Sequence, residues 1–227
     1  ACISLYVLSL LLDIRGLRSG GVLTFLSPSM ESMWLLGMTG KVRVVELGHW
    51  WTLFTAIYLH GGVLHILFNV LWIRQIGAFA EHELGPARFF VLFNLSGAGG
   101  FLASSLFGAP FTVGASGSIF GLLGAMIAFR RRRGAGGDML SQQFLQWAVI
   151  MFVFGFVMRG VDNWAHAGGF VSGYVLGMRL RGAHERPETR GMQLAALVLA
   201  AIVVLGFVFN AVQTWPEFIE AIRTRGL

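Results

Sequence analysis

Long apolar stretches with few or no charges are the feature that most restricts how this chain can fold. A helix needs about 20 apolar residues to cross the ~30 Å hydrocarbon core of a bilayer, so each such stretch is a candidate membrane span. Of the 227 residues, 56% are hydrophobic and only 12% are charged, whereas roughly a quarter are charged in a soluble domain. The sequence therefore predicts an integral membrane protein of the all-α class.

Seven spans are predicted, in one membrane domain that covers residues 1–227. The first lies at the start of the chain, which begins with Ala1 rather than Met, so we expect this span to be truncated. The other six are predicted at residues 52–73, 89–107, 111–129, 144–158, 161–178 and 193–213. The segment 13–51 is too long for a simple turn and carries apolar residues. We expect it to be a partly helical element lying in the outer leaflet; the alternative is a disordered loop.

Arginines indicate the orientation in the membrane, because cytoplasmic loops are rich in Lys and Arg. The densest run, 130–133, follows the span 111–129, and a second group lies within 179–190. Both fall on one side if the spans alternate, which puts the amino end in the cytoplasm and the segment 13–51 outside. The net charge of +6 then reflects topology and does not indicate a nucleic-acid partner. Short loops and the lack of a targeting segment favour a bacterial inner membrane.

Polar residues inside the predicted spans are functional candidates, because such groups are costly in hydrocarbon. With a rise of about 1.5 Å per residue, Ser116 lies ~21 Å from Arg130, and His166 lies ~20 Å from Arg179. The two residues are therefore expected at nearly the same depth. Small residues follow each of them at i+3 and i+4 spacings, which gives each helix a smooth face for close approach. If these faces meet, the histidine can take the serine proton and activate a nucleophile.

Further residues are predicted to support this pair. His65 and Asn69 share a helix face at i, i+4. If their helix runs on to Glu81, their depth brackets that of Ser116, and they are candidate donors to an oxyanion. Backbone N–H groups at the start of the serine's helix are further donors. Phe120 lies one turn deeper and is placed to hold the imidazole.

No aspartate is placed to complete a triad. Asp162 lies i−4 from His166 but nearer the outer surface, and Asp138 lies in the arginine-rich loop. A Ser–His dyad is therefore the simpler interpretation.

Each motif also has a structural alternative. A Gly/Ser pattern in a membrane helix is more often a packing motif than a catalytic one. His60 and His65 resemble a metal pair, but at i+5 they do not share a helix face and no carboxylate completes the set, so we predict no metal site. A transporter with a midplane site would show inverted repeats or broken helices in matching halves, and neither is evident. The single cysteine, Cys2, predicts no internal disulfide.

Three motifs together resemble the rhomboid family of intramembrane serine proteases. They are HGGVLHILFN at 60–69, GASG at 114–117 and AHAGGFVSG at 165–173, and WWTLFTAIYLH at 50–60 is similar as well. The resemblance covers nearly the whole chain. It implies a rhomboid-like bundle of six membrane helices plus one C-terminal helix. Residues 13–51 would be the membrane-lying loop, 144–158 the mobile helix beside the substrate entrance, and 193–213 the extra span.

The resemblance implies a serine endopeptidase in which Ser116 is the nucleophile and His166 the general base, with no cofactor. Substrates of the family are usually single-span membrane proteins cut near the outer end of their helix, so we expect such proteins and the lipid bilayer as partners. Water must reach the site, which predicts a polar cavity open to the outside. The alternative is a catalytically inactive relative that binds membrane helices.

The resemblance also implies roles for the supporting residues. His65 and Asn69 would bind the oxyanion together with the backbone amide of the nucleophilic serine. Gly114 would leave room for it. Phe120 would stack on the catalytic histidine, where the family has a tyrosine or another aromatic residue.

One position departs from the family pattern. The family often has Trp-Arg in the outer loop, whereas this chain has Trp51 followed by Thr52. The departure concerns the anchoring of the loop and does not touch the dyad.

Overall fold

The structure, a computed structural model, describes residues 1–18, 25–134, 138–158, 160–183 and 187–225. These residues form ten α-helices and, apart from two isolated β-bridges, no strand. The helices are α1 (Cys2–Leu12), α2 (Met30–Leu35), α3 (Thr52–Thr55), α4 (Val63–Trp72), α5 (Ala78–Leu84), α6 (Pro86–Phe107), α7 (Ser116–Arg132), α8 (Met139–Val157), α9 (Asn163–Gly177) and α10 (Arg190–Arg225). The predicted all-α fold is confirmed.

Four helical segments of the described chain are long and apolar enough to cross a membrane. They are α6, α8, α10, and the continuous segment made of α4, the π-helical turn Ile73–Gly77 and α5. Helices α1, α7 and α9 are shorter, with 11, 17 and 15 residues. Each of the seven predicted spans thus corresponds to one helix or helical segment.

The boundaries predicted for the second span are wrong. Residues 52–58 form α3 and a 3₁₀ turn, and the long helix begins only at Val63 and ends at Leu84. The adjacent glycines Gly61 and Gly62 separate the two parts, because glycine has the largest conformational freedom to lose in a helix. The helix therefore runs past Glu81. The depth predicted for His65 and Asn69 relative to Ser116 depended on this condition.

The last helix is longer than the predicted 193–213. It has 36 residues and continues past Pro216. At about 1.5 Å per residue it is ~54 Å long, which exceeds the ~30 Å hydrocarbon core. Its final turns therefore extend beyond the bilayer.

Helix α7 lies at the centre of the bundle, and its residues 117–129 are all buried. Its glycines face those of α9. A Cβ atom on Gly173 would overlap the backbone of Gly121, and one on Gly177 would lie 2.5 Å from the carbonyl oxygen of Ala125. The close approach predicted from the two smooth faces is confirmed.

Helix α6 approaches α9 in the same way, which the sequence analysis did not predict. A Cβ atom on Gly100 would lie 2.5 Å from the carbonyl oxygen of Ala165, and one on Gly168 would lie 3.0 Å from that of Gly99. Helix α9 is thereby held between α6 and α7 by backbone contacts on both sides.

The long loop is described at residues 13–18 and 25–51, and the second of these parts is partly helical, as predicted. It contains α2 and a π-helical turn at Val42–Glu46. Its buried residues Met33, Leu36 and Met38 pack around Leu59. The alternative of a disordered loop is wrong for this part of the segment.

Hydrogen bonds tie the loop to its surroundings. The backbone of Thr39 pairs with that of Thr112 through N–H···O distances of 3.1 and 2.7 Å. Thr52, which stands where the family often has arginine, is buried, and its hydroxyl donates to the His49 carbonyl at 2.7 Å and lies 3.0 Å from the Thr39 hydroxyl. In this chain the position anchors the loop through a short hydroxyl instead of a guanidinium.

Candidate active site

The candidate nucleophile lies at the first turn of α7. The predicted span 111–129 begins too early, because residues 111–115 are not helical and Gly114 has a positive φ of 128°. The first backbone N–H of the helix to find an acceptor within it is that of Ile119, bonded to the Ala115 carbonyl. The N–H groups of residues 116–118 therefore have no acceptor within the helix and are available as donors.

Ser116 and His166 are within hydrogen-bond distance of each other. Ser116 Oγ lies 2.9 Å from His166 Nε2. The serine is half-buried, and the histidine is 6% exposed. The contact exists because the glycine faces of α7 and α9 bring the two backbones together directly below it.

The aspartate nearest to this pair is engaged elsewhere. One oxygen of Asp162 accepts the backbone N–H of Ala165 at 3.0 Å and so caps α9. Its other oxygen accepts the hydroxyl of Ser104 in α6. His166 Nδ1 has no hydrogen-bond partner among the described residues. The described residues thus present a Ser–His pair without a carboxylate as third member.

Phe120 fixes the plane of the histidine ring. The two rings are stacked, with centroids 4.3 Å apart and an angle of 16° between planes. Phe152 of α8 meets the other side of this cluster, edge-to-face to Phe120 at 6.4 Å. The imidazole is therefore positioned by aromatic packing.

His65 points a protonated nitrogen toward the serine's loop. The backbone N–H of Gly61 donates to His65 Nδ1 at 3.2 Å, so Nδ1 is an acceptor and the ring proton lies on Nε2. A Cβ atom placed on Gly114 would lie 2.6 Å from this Nε2. His65 can therefore keep this position only because residue 114 has no side chain.

Asn69 lies one turn further along α4 and is buried. Its amide nitrogen donates to the His65 carbonyl at 2.7 Å, and its Oδ1 has no partner among the described residues. An amide nitrogen carries two hydrogens, so one remains for a ligand.

A cavity of about 780 Å³ brings these groups together. Its lining includes five of the residues predicted for the site, which are His65, Asn69, Ser116, Phe120 and His166. Gly114 is not among the lining residues, although a Cβ atom there would contact His65 Nε2. The wall is mostly apolar, which differs from the expected polar cavity; the polar groups are concentrated around the serine.

Methionines form much of the wall that the sequence analysis missed. Met30 and Met38 come from the long loop, and Met151 and Met158 come from α8. No periodicity identifies Met30 and Met38, which reach the cavity through tertiary packing alone, whereas Met151 and Met158 are spaced i, i+7 along α8 and its C-cap. Unbranched thioether side chains adapt to ligands of different shape.

His60, the first histidine of the segment 60–65, lies beside His65. It is fully buried, and neither of its ring nitrogens has a partner among the described residues. Its ring instead packs edge-to-face on His65, with centroids 5.1 Å apart. In the part of the chain that the structure describes, no group of three or more His, Cys, Asp or Glu side chains is placed to hold a metal ion.

Comparison with known protein families identifies the family to which this fold belongs. The rhomboid domain model matches residues 47–183, which hold the whole predicted site. The chain belongs to the rhomboid family. As a member of that family it is an integral, multi-pass membrane protein, and its bundle is of the rhomboid type.

Curated relatives of this rhomboid come from a plant and a bacterium. It is 39% identical to RHOMBOID-like protein 1 of Arabidopsis thaliana over 158 residues, which are 67% of this chain and 40% of that protein. It is 32% identical to the rhomboid protease GluP of Bacillus subtilis over 172 residues, 73% of this chain and 32% of that protein. The putative rhomboid protease YdcA of the same bacterium is 32% identical over 154 residues, 63% of this chain and 74% of that protein. The chain thus spans less than half the length of the first two relatives.

Proposed function

We propose that this protein is an intramembrane serine endopeptidase that cleaves transmembrane segments of single-span membrane proteins. The observation that supports it most directly is the 2.9 Å distance between Ser116 Oγ and His166 Nε2 at the wall of a large cavity. Membership of a family that includes the protease GluP adds to it.

The first half of the reaction forms an acyl-enzyme. Ser116 Oγ attacks the carbonyl carbon of the scissile peptide while its proton passes to His166 Nε2. The resulting oxyanion accepts hydrogen bonds from His65 Nε2, the second amide hydrogen of Asn69 and the backbone N–H of Ser116. His166 then gives the proton to the leaving amine, and the C–N bond breaks.

The second half regenerates the serine. Water enters the cavity and attacks the acyl carbon, and His166 takes a proton from it. When the tetrahedral intermediate collapses, this proton returns to Ser116 Oγ and the new carboxyl end leaves. Phe120 keeps the imidazole in one plane through both halves, and Gly114 leaves the oxyanion space open.

The proposal includes the placement in the membrane. The arginine run 130–133 and the arginines after α9 lie at the end of the bundle opposite Ser116, so the positive-inside rule puts the site near the outer face and the amino end in the cytoplasm. A bacterial inner membrane is the setting we propose.

The test is cleavage of a model single-span substrate by the purified protein in detergent and in vesicles, together with labelling by a fluorophosphonate probe. Wild type is expected to cleave and to label, whereas Ser116→Ala and His166→Ala are expected to do neither. Ser118→Ala is the matched control, because Ser118 is a buried serine of the same helix whose hydroxyl has no hydrogen-bond partner among the described residues.

Two results would overturn the proposal. Cleavage by Ser116→Ala at the wild-type rate would exclude this serine as nucleophile. A folded wild type that neither cleaves several substrates nor labels would instead indicate an inactive relative that binds membrane helices.

A further inference from the structure

A buried asparagine lies within the otherwise apolar, lipid-facing part of helix α10. Asn210 is fully buried, although its neighbours Val208, Phe209 and Val212 are exposed apolar residues. It lies 20 residues after the first residue of α10, about 30 Å along the axis, which is the end of the bundle that carries the candidate site. A polar amide in a membrane helix is costly and needs partners.

Among the described residues, the hydrogen-bond partners of the Asn210 side chain all lie in the long loop. Its amide nitrogen donates to the carbonyl oxygens of Trp34 at 3.0 Å and Leu35 at 2.8 Å, at the end of α2. Its Oδ1 accepts a hydrogen bond from the guanidinium of Arg43 and a longer one, 3.4 Å, from the indole of Trp51. One side chain thus joins α10 to three separate points of the loop.

The buried guanidinium of Arg43 depends on Asn210 for a hydrogen-bond acceptor. Its side chain is fully buried, its Cζ lies 4.0 Å from the centre of the Trp34 ring, and its Nε and Nη1 have no hydrogen-bond partner among the described residues. Burial lowers the pKa of Arg43 to about 10, against the opposing effect of nearby Glu217, so the side chain is still charged at neutral pH. Among the described residues, loss of Asn210 would leave the buried Arg43 cation with the Trp34 ring, the Trp34 carbonyl oxygen at 3.4 Å and the longer-range effect of Glu217, which is a costly state.

The loop held in this way forms part of the catalytic cavity. Met30 and Met38 flank the anchored residues and line the cavity. Beyond them, Thr39 pairs with Thr112, and the segment around Thr112 leads directly into the turn before Ser116. A displacement of the loop would therefore move one wall of the cavity and leave the glycine-packed contact between α7 and α9 in place.

We propose that Asn210 and Arg43 are positioning residues that fix the long loop against α10 and so set how well a long substrate binds beside the dyad. The catalytic part of this inference rests on the proposed function. The structural part, the anchoring of the loop, does not.

The test compares wild type, Asn210→Leu, Arg43→Met and the double variant Arg43→Met/Asn210→Leu. In Asn210→Leu, hydrogen exchange of residues 30–46 is expected to be about tenfold faster, with no change in α7 and α9. KM for a single-span substrate is expected to rise about tenfold with kcat little changed. Labelling of Ser116 by a small fluorophosphonate is expected to stay near the wild-type rate, because the probe needs no loop contacts.

The double variant tests whether the two residues act together. Since Asn210→Leu alone leaves an unpaired buried cation, the double variant is expected to be no worse than that single variant. Additive losses would contradict the pairing. Thr214→Val is the matched control, because among the described residues this buried hydroxyl of α10 donates to the Asn210 carbonyl of its own helix and to no other group. Wild-type exchange and KM are expected for it.

The outcomes separate this inference from the proposed function. Unchanged exchange in residues 30–46 of a folded Asn210→Leu protein would overturn the anchor, and faster exchange with an unchanged KM would overturn its role in substrate binding. If wild type neither cleaves nor labels, the proposed function fails and the substrate-binding role with it, while the exchange data still decide the anchor.

Discussion

Gly114 has no side chain, and this absence lets His65 Nε2 lie close to the loop that leads into Ser116. Its φ of 128° disfavours any other residue, and a Cβ atom there would lie 2.6 Å from His65 Nε2. We expect Gly114→Ala to lower kcat by about 100-fold or more, because it displaces His65, which we propose as an oxyanion donor. Cleavage kinetics under substrate saturation measure this effect.

The control for Gly114→Ala is Gly48→Ala. Gly48 also has a positive φ, 73°, but a Cβ atom there meets nothing within 4 Å. Its φ lies near the left-handed helical region, where alanine is strained at modest cost, and it has no clash, so this variant should keep wild-type kcat. Equal losses in the two variants would mean that backbone strain, and not the blocked oxyanion space, lowers activity.

Phe120 offers a second test at the scale of a single ring. Phe120→Leu removes the stacked face and leaves the imidazole free to rotate, so kcat should fall by up to about tenfold. Phe120→Tyr keeps the face and should retain activity. Phe144→Leu, at an equally buried phenylalanine of α8 away from the dyad, is the control for lost packing; an equal loss there would assign the effect to stability.

At the residue scale, the sequence predicts features that follow from positions along one helix and misses those that depend on tertiary contacts. The pairing of Ser116 with His166 follows from helix depth and small-residue spacing, both of which can be counted along the chain. The proton position on His65 cannot be counted, because it depends on the backbone N–H of Gly61 folding back onto the ring. The hydrogen bond between Asp162 and Ser104 joins two helices and has no signal in either segment.

The close packing of α7 on α9 requires glycine along both helices and not only beside the candidate site. Because a Cβ atom on Gly173 would overlap the backbone of Gly121 two turns below the dyad, Gly173→Ala should force the helices apart. We expect a loss of about 1–3 kcal/mol in stability and a marked loss of cleavage. Thermal unfolding in detergent and cleavage assays measure the two effects.

Gly191→Ala is the counterpart on α10. The nearest atom to a Cβ there is the Thr189 hydroxyl at 3.9 Å, so this helix-favouring substitution should leave stability and cleavage unchanged. A stable, fully active Gly173→Ala protein would show that the helices have room to spare and that the close approach does not position the dyad.

Helix positions were predictable and helix ends were not, for a common reason. Hydropathy counts apolar residues and does not register whether two glycines stop a helix, as at 61–62, or whether a helix starts late, as at Ser116. The second span was therefore placed about ten residues too early. The close packing of α6 on α9 was missed although Ser96, Gly100 and Ser104 have the same i+4 spacing, because such a pattern does not say which helix it meets.

At the scale of the whole molecule, the bundle has two chemically different ends. The arginine-rich end carries a fixed positive charge and an ion pair between Arg130 and Asp138. The other end carries the cavity, the long loop and the last turns of α10, which meet one another through Asn210 and the Trp34–Glu217 hydrogen bond at 3.1 Å. The candidate site lies nearer this second end, so the orientation of the bundle decides which face of the membrane the site is near.

The orientation can be measured with single cysteines in a Cys2→Ser background. Lys41 and Thr224 are exposed at the site end, and Gly134 is exposed just after the arginine run. In spheroplasts of a bacterial host, Lys41→Cys and Thr224→Cys should react with a membrane-impermeant maleimide, whereas Gly134→Cys should react only after permeabilisation. The reverse pattern would place the site on the cytoplasmic face. Labelling of Lys41→Cys but not Thr224→Cys would mean that α10 does not carry its last turns to the site end, and the anchor through Asn210 would then have no route across the bilayer.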